Sequence, residues 1–99
     1  MEKEKILNLL WHLQNRRNMY VLGDSYESLE NFLIGYFIGI KEFSKKDYLV
    51  EFSEWLKIKE NDSFSVFPTG YILNVLSDGN SDIAEKKLFI LLEEFFKTQ

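Results

Sequence analysis

The sequence predicts an all-α protein, a compact bundle-like domain of about five helices formed by residues 1–99. Three observations favour this fold class. Apolar side chains recur with the period of a helix through most of the chain. Cap and turn residues divide that pattern at short intervals. Hydrophobic residues make up 45% and aromatic residues 16% of the chain, which is enough apolar material for one core.

A first helix is expected from Glu2 to about Arg17. Its stripe consists of Ile6, Leu9, Leu10 and Leu13. Acidic residues stand at its start and arginines at its end, an arrangement that the helix dipole favours. The next segment, residues 19–23, is apolar and short, and we interpret it as an extended connector that buries Met19 and Leu22 and turns at Gly23.

The most apolar stretch predicts a central second helix, which begins near Ser25 and ends near Phe43. Its stripe consists of Leu29, Phe32, Leu33, Tyr36, Phe37 and Ile40. Asp24 or Ser25 can cap its first turn. Gly35 and Gly39 share one face of this helix, and each costs about 1 kcal/mol relative to alanine. We therefore expect a neighbouring helix to cross closely at these glycines, with the second helix as the hub of the fold.

Three further helices complete the prediction. The third is expected from Asp47 to about Lys59. A short fourth helix begins after Pro68, with Thr69 as a possible cap, and the fifth is capped by Ser81 or Asp82 and ends near Lys97. The inward positions of these three helices are Leu49, Phe52 and Leu56, then Tyr71, Ile72, Val75 and Leu76, then Ala84, Leu88, Leu91, Leu92 and Phe95.

Two short segments leave an alternative fold class open. Residues 19–23 and residues 64–67 are apolar enough to form strands. If these two segments pair with each other, the class becomes α+β with one short hairpin.

The charge distribution favours a basic partner over nucleic acid. The net charge is −4, and residues 47–99 carry ten acidic and five basic side chains. Nucleic acid is a poor partner for such a surface, whereas opposite charge steers a basic protein toward it. A moderate negative charge also serves simply to keep a protein in solution, so charge alone leaves both interpretations open.

The residue types for most site chemistry are missing. The chain has no cysteine and one histidine, His12, so disulfides, zinc sites and most catalytic triads are not expected. We expect no cofactor, no metal and no enzymatic activity, and we interpret His12 as a residue at the edge of the core. The segment 78–82 resembles a calcium loop in part, but Ile83 stands where such a loop needs glycine.

No segment is long and apolar enough to predict a membrane span, since the longest apolar run is Phe32–Ile40 and a span needs about 20 residues. The N-terminus lacks the features of a signal peptide. We therefore expect a cytoplasmic protein without a membrane partner.

The segment 15–23, Asn-Arg-Arg-Asn-Met-Tyr-Val-Leu-Gly, followed by Phe32-Leu33-Ile34-Gly35-Tyr36, resembles small bacterial immunity proteins of contact-dependent inhibition and polymorphic toxin systems. A Trp-bearing middle helix at 51–56 and the acidic, Phe-rich last helix at 84–95 are also similar to that group. The chain departs from it at Asn18, where a proline is usual, and in one added residue at 21–22. Arg16, Arg17, Met19, Tyr20 and Gly23 are interpreted as fold determinants.

The resemblance implies a protein that binds the C-terminal domain of a cognate toxin, most plausibly a nuclease, and covers its active or functional surface. The expected contacts are acidic: Glu51, Glu54, Glu60, Asp62, Asp78 and Asp82. Tyr48 and Trp55 are candidate aromatic anchors, although the spacing of Trp55 favours core packing. Two alternatives remain, a structural or regulatory module that forms a homodimer and, with least support, a small enzyme.

Overall fold

The predicted helices are all present in the computed structural model, which describes residues 2–21, 23–65 and 67–98. They are α1 (Glu2–Asn15), α2 (Tyr26–Ser44), α3 (Tyr48–Glu60), α4 (Pro68–Tyr71) and α5 (Ser81–Lys97). A 3₁₀ turn, Arg17–Met19, follows α1, and a π-helical turn, Ile72–Leu76, continues α4. No strand occurs in these described ranges, so the all-α prediction is confirmed. Leu22 and Val66, which belong to the two possible strands, lie outside the described residues.

The helices begin where side chains satisfy their free backbone N–H groups. Ser25 Oγ accepts from the Ser28 amide at 3.0 Å, and Asp47 accepts from the Val50 amide at 3.2 Å. The predicted cap of the fifth helix is wrong by one residue, because Asn80 Oδ1, and not Ser81, accepts from the Ile83 amide at 3.1 Å.

The cap of the fourth helix lies two residues before Thr69, the predicted cap. Phe67 occupies the N-cap position, and Pro68 starts the first turn, where its missing N–H is harmless. Thr69 lies inside α4, and its carbonyl accepts from Tyr26 Oη at 2.7 Å. Val75, predicted to face inward, is 57% exposed in the π-helical turn.

The core is built around α5 rather than around α2. Helix α5 buries seven side chains and packs against α1, α2, α3 and the π-helical turn, whereas α2 buries four. Phe96 stacks with Phe37 of α2 at 5.9 Å between ring centroids and meets Tyr48 of α3 at 5.1 Å. Phe95 meets Phe52 at 5.4 Å. The expectation that the second helix is the hub is therefore wrong.

The expected close crossing at the two glycines of α2 is also wrong. A Cβ atom added at Gly35 or at Gly39 would meet no other atom within 4 Å. The buried residues of α2, Tyr26, Leu29, Leu33 and Phe37, lie on the opposite side of the helix. The glycines thus face open space.

The connector after α1 differs from the expectation in one side chain. Met19 is 73% exposed, and Val21 is buried in its place. The 3₁₀ turn over Arg17–Met19 advances the chain faster per residue than an α-helix, which changes the side chain that meets the core. The predicted turn at Gly23 is confirmed, because its φ of 84° is a conformation that favours glycine.

The described part of the chain has a radius of gyration of 12.9 Å and extents of 31 × 29 × 21 Å, which is the size of a compact domain of this length. None of its helices combines the length and the apolar character that crossing a membrane requires.

Candidate protein-binding surface

The outer side of α3 is where exposed apolar side chains and predicted acidic contacts coincide. The buried residues Tyr48, Phe52 and Leu56 recur every four positions and therefore define the inner side of the helix. Val50, Glu54 and Ile58 recur with the same spacing on the other side. Val50 is 55% exposed and Ile58 is 81% exposed. An isoleucine exposed to that degree gains almost nothing from the fold, so it is free to contribute to a contact.

A groove of about 490 Å³ runs between α3 and the segment 65–68. Its lining consists of Leu49, Val50, Ser53, Glu54, Lys57, Ser65, Phe67 and Pro68. Phe67 is 53% exposed, so the groove presents an aromatic ring to a partner. Glu54 and Lys57 form an ion pair across 3.6 Å on its rim. An apolar groove with charged residues at the rim has the composition of a protein-binding surface. We call the outer side of α3 together with this groove the α3 surface.

A chain of contacts holds the loop beside the α3 surface in place. Tyr71 Oη donates to Asp62 Oδ2 at 2.9 Å, and Phe64 stacks on Tyr71 with 4.2 Å between ring centroids. Lys57 Nζ lies 5.3 Å from the Phe64 ring centroid. Burial, followed by the Asp62 hydrogen bond, raises the pKa of Tyr71, so its hydroxyl keeps its proton. The loop is thereby anchored to α4, which reduces the entropy lost when a partner binds.

The structure brings only some of the predicted acidic contacts together. Glu51 and Glu54 lie three residues apart on α3; Glu51 follows Val50, and Glu54 is one turn before Ile58. Glu60 is the last residue of α3, and its position six residues beyond Glu54 turns it about 120° away around the helix. Asp62 remains exposed beside the α3 surface, although one of its carboxylate oxygens is used by Tyr71.

The other two predicted contacts lie elsewhere. Lys59 of α3 pairs with Glu94 across 2.9 Å, which places the last turn of α3 near the C-terminal end of α5. Asp82 is in the first turn of α5, about 18 Å from Glu94 at the rise of an α-helix. Asp78 belongs to the turn before α5 and adopts a φ of 51°. Asp78 and Asp82 therefore form a separate acidic site.

The two candidate aromatic anchors belong to the core. Tyr48 is buried and donates from Oη to Glu2 at 2.7 Å, and its burial raises its pKa to about 12. Trp55 stacks on Phe52 at 5.8 Å and meets Phe95 at 5.6 Å. Tyr48 is therefore not exposed for contact with a partner, and the core packing of Trp55 is confirmed.

Three surface residues were missed by sequence reasoning: Val50, Ile58 and Phe67. Val50 and Ile58 lie off the inward stripe of the third helix. Core packing therefore does not explain why these two positions are apolar. That mismatch between side chain and position was the available signal. Phe67 gave no such signal, since an aromatic residue before the proline can be buried or exposed.

Among residues 2–21, 23–65 and 67–98, no group of three or more potential ligands is placed to hold a metal ion. His12 is half-buried, with its ring 5.0 Å from that of Trp11 and 5.9 Å from that of Tyr20. This position agrees with its interpretation as a residue at the edge of the core.

Comparison of the chain with protein-family models, with curated proteins and with solved structures finds no match in any of the three.

Proposed function

We propose that this chain is an immunity protein that binds a basic bacterial toxin through the α3 surface and covers the toxin's active or functional site. A nuclease is the toxin class that best fits this proposal, because its substrate cleft must attract phosphate with positive charge. The resemblance in segment 15–23 and in the two motif-bearing helices supports the class of protein. The acidic half of the chain supports the charge of the partner.

The observation that carries the proposal is the overlap of two properties on the α3 surface. Exposed Val50, Ile58 and Phe67 supply apolar area that burial would stabilise. Glu51 and Glu54 border that area and supply the charge that orients a basic partner. Ordinary solvated acids also occur on any surface, but here Glu51 and Glu54 stand beside apolar side chains that the fold leaves uncovered, with Glu54 paired to Lys57.

Co-expression tests this proposal. The chain is expressed together with the protein encoded immediately upstream of its gene, and both host survival and co-purification are scored. The proposal expects the neighbouring protein to be toxic alone, harmless in the presence of this chain, and bound to it at a fixed stoichiometry. A harmless neighbour that does not co-purify contradicts the proposal.

Charge reversal then tests the surface. The double variant Glu51→Lys and Glu54→Lys is expected to weaken toxin binding at least about tenfold and to reduce protection, because it opposes the charge of the toxin at the contact. The matched control is Asp78→Lys with Asp82→Lys, which makes the same change of net charge at the separate acidic site. Equal effects of the two double variants would mean that net charge, and not the α3 surface, governs binding.

A further inference from the structure

A second exposed apolar surface lies on the outer side of α2. Phe43 is 93% exposed and Ile38 is 49% exposed. A depression of about 340 Å³ beside Phe43 is lined by Glu2, Gly35, Tyr36, Gly39, Ile40 and Phe43. Ile38 lies on the other side of the two glycines around the helix. A phenylalanine that the fold leaves almost wholly in water adds nothing to the core. We call the outer side of α2 from Asn31 to Phe43 the α2 surface.

The exposed charges at the two ends of α2 have opposite signs. Asp24 and Glu27 stand exposed at its start, and Lys45 and Lys46 stand exposed just past its end. Two other charged residues of this region have partners within the chain: Glu30 accepts a hydrogen bond from Thr69, and Lys41 pairs with Asp47 at 3.2 Å.

Glu42 is exposed at the basic end and is the exception to this separation of charge. Glu42 lies five residues from residue 37, the middle of the α2 surface. An antiparallel contact about that residue places Glu42 opposite residue 32 and not opposite another acid.

We infer that the occupant of the α2 surface is the α2 surface of a second copy of this chain, packed antiparallel about a two-fold axis near residue 37. In that arrangement Phe43 of one copy lies opposite residue 31 of the other. Glu27 lies opposite residue 47, one position past Lys46 and two past Lys45. Asp47 itself is paired with Lys41. A two-fold contact requires a surface that is complementary to itself. The separated charges of α2 meet this requirement.

The absence of side chains at Gly35 and Gly39 sets how closely the two helices can approach. Each glycine faces open space, so no other described residue occupies the place of the missing Cβ atoms. At a helix crossing, the same absence allows the partner backbone to approach to the short end of the usual interaxial range of about 8–10 Å. The apolar side chains and the charge pattern identify the occupant, and the glycines determine only the depth of the contact.

Charge also favours this face over others for contact between copies. Residues 24–46 carry four acidic and three basic side chains, whereas residues 47–99 carry ten and five. Two copies that meet through the more acidic half would repel each other. A contact confined to one helix is smaller than the roughly 800 Å² per partner of a standard interface, so we expect a dissociation constant on the order of 10–100 μM.

Sedimentation equilibrium between about 1 and 300 μM tests the inference. The chain is expected to fit a monomer–dimer equilibrium, and Phe43→Glu is expected to raise the dimer dissociation constant at least about tenfold. Because Phe43 is 93% exposed, this variant keeps its fold, which circular dichroism verifies. The matched control is Phe67→Glu, the same change at an exposed phenylalanine of the α3 surface, and it is expected to leave the dimer unchanged.

Substitution of the two glycines provides a second test, because it is expected to stabilise the monomer and to weaken the dimer. Gly35→Ala together with Gly39→Ala is expected to raise the melting temperature of the dilute monomer by several degrees, because alanine favours the helix and meets no neighbour. The same pair of changes is expected to weaken the dimer at least about tenfold by separating the helices.

Two results would overturn the inference: a monomer throughout the concentration range, or a dimer that neither Phe43→Glu nor the double alanine variant weakens. The inference does not depend on the proposed function. Toxin binding is tested on the α3 surface and self-association on the α2 surface, so either can fail alone.

Discussion

At the scale of single residues, Arg17 does the most to connect distant parts of the chain. Its guanidinium donates to the Glu85 carboxylate of α5 and to the Ser25 carbonyl at the start of α2, the latter at 2.6 Å. Its side chain is 14% exposed. Arg17→Lys is expected to lower the free energy of unfolding by about 2 kcal/mol, because lysine cannot reach both acceptors with one planar group. Urea denaturation measures the loss.

The adjacent Arg16 provides the matched control for that prediction. It is exposed, and its Cζ lies 6.0 Å from the Trp11 ring centroid. Arg16→Lys is expected to change the stability by less than about 0.5 kcal/mol, as exposed substitutions usually do. Equal losses at the two positions would show that the contacts of Arg17 with Glu85 and Ser25 do not stabilise the fold.

At the scale of elements, the residue that caps α5 differs from the one that the local sequence predicts. The sequence offers Ser81 and Asp82 as caps, but Asn80 accepts the first free amide. Asn80→Ala is therefore expected to destabilise the protein by about 1 kcal/mol, measured by thermal or urea unfolding. Ser81→Ala is the control and is expected to have a small effect. A larger loss of stability for Ser81→Ala than for Asn80→Ala would show that Ser81 is the cap.

At the scale of the whole molecule, burial raises the pKa of four tyrosines in the folded protein: Tyr26, Tyr36, Tyr48 and Tyr71. In the unfolded chain a tyrosine loses its proton near pH 10. The unfolded state therefore releases protons first, and stability falls as pH rises. The contribution of these groups is fully present below about pH 10 and is lost toward the pKa of Tyr48, about 12.

We accordingly expect cooperative alkaline unfolding between about pH 10 and 12, with tyrosinate formation and loss of circular dichroism at the same pH. The control is the same titration in concentrated denaturant, where every tyrosine is already exposed. Tyrosinate that forms at the same pH in the folded and denatured protein, while the helices remain intact, would contradict this expectation.

The helix bounds followed from sequence because their signals are local. The apolar stripe, the caps and the turn at Gly23 involve residues within about four positions of one another, and such neighbours interact in any helix. The inward positions of α3 show the same point: Phe52 and Leu56 are buried as predicted, although Leu49 is only half-buried and Tyr48 takes the inner place. The prediction of five helices without a sheet required no knowledge of tertiary contacts.

The candidate site was predictable only in part. The sequence identified acidic residues of α3, and Glu51 and Glu54 do border an exposed apolar surface. It also grouped Asp78 and Asp82 with them, because positions in the chain do not reveal that α3 meets the far end of α5. Tyr48 was a possible anchor by residue type, but the hydrogen bond to Glu2 that accompanies its burial joins residues 46 positions apart.

The sequence predicted the all-α class with an α+β alternative, the order and near bounds of the helices, and the sign of the charge. Only the tertiary structure decided that α5 is central, that Val21 rather than Met19 enters the core, and that Gly35 and Gly39 face open space. The physical reason is the range of the interactions. A helix is specified by neighbours along the chain, whereas the side of each helix that stays uncovered depends on how distant helices divide the apolar surface among themselves.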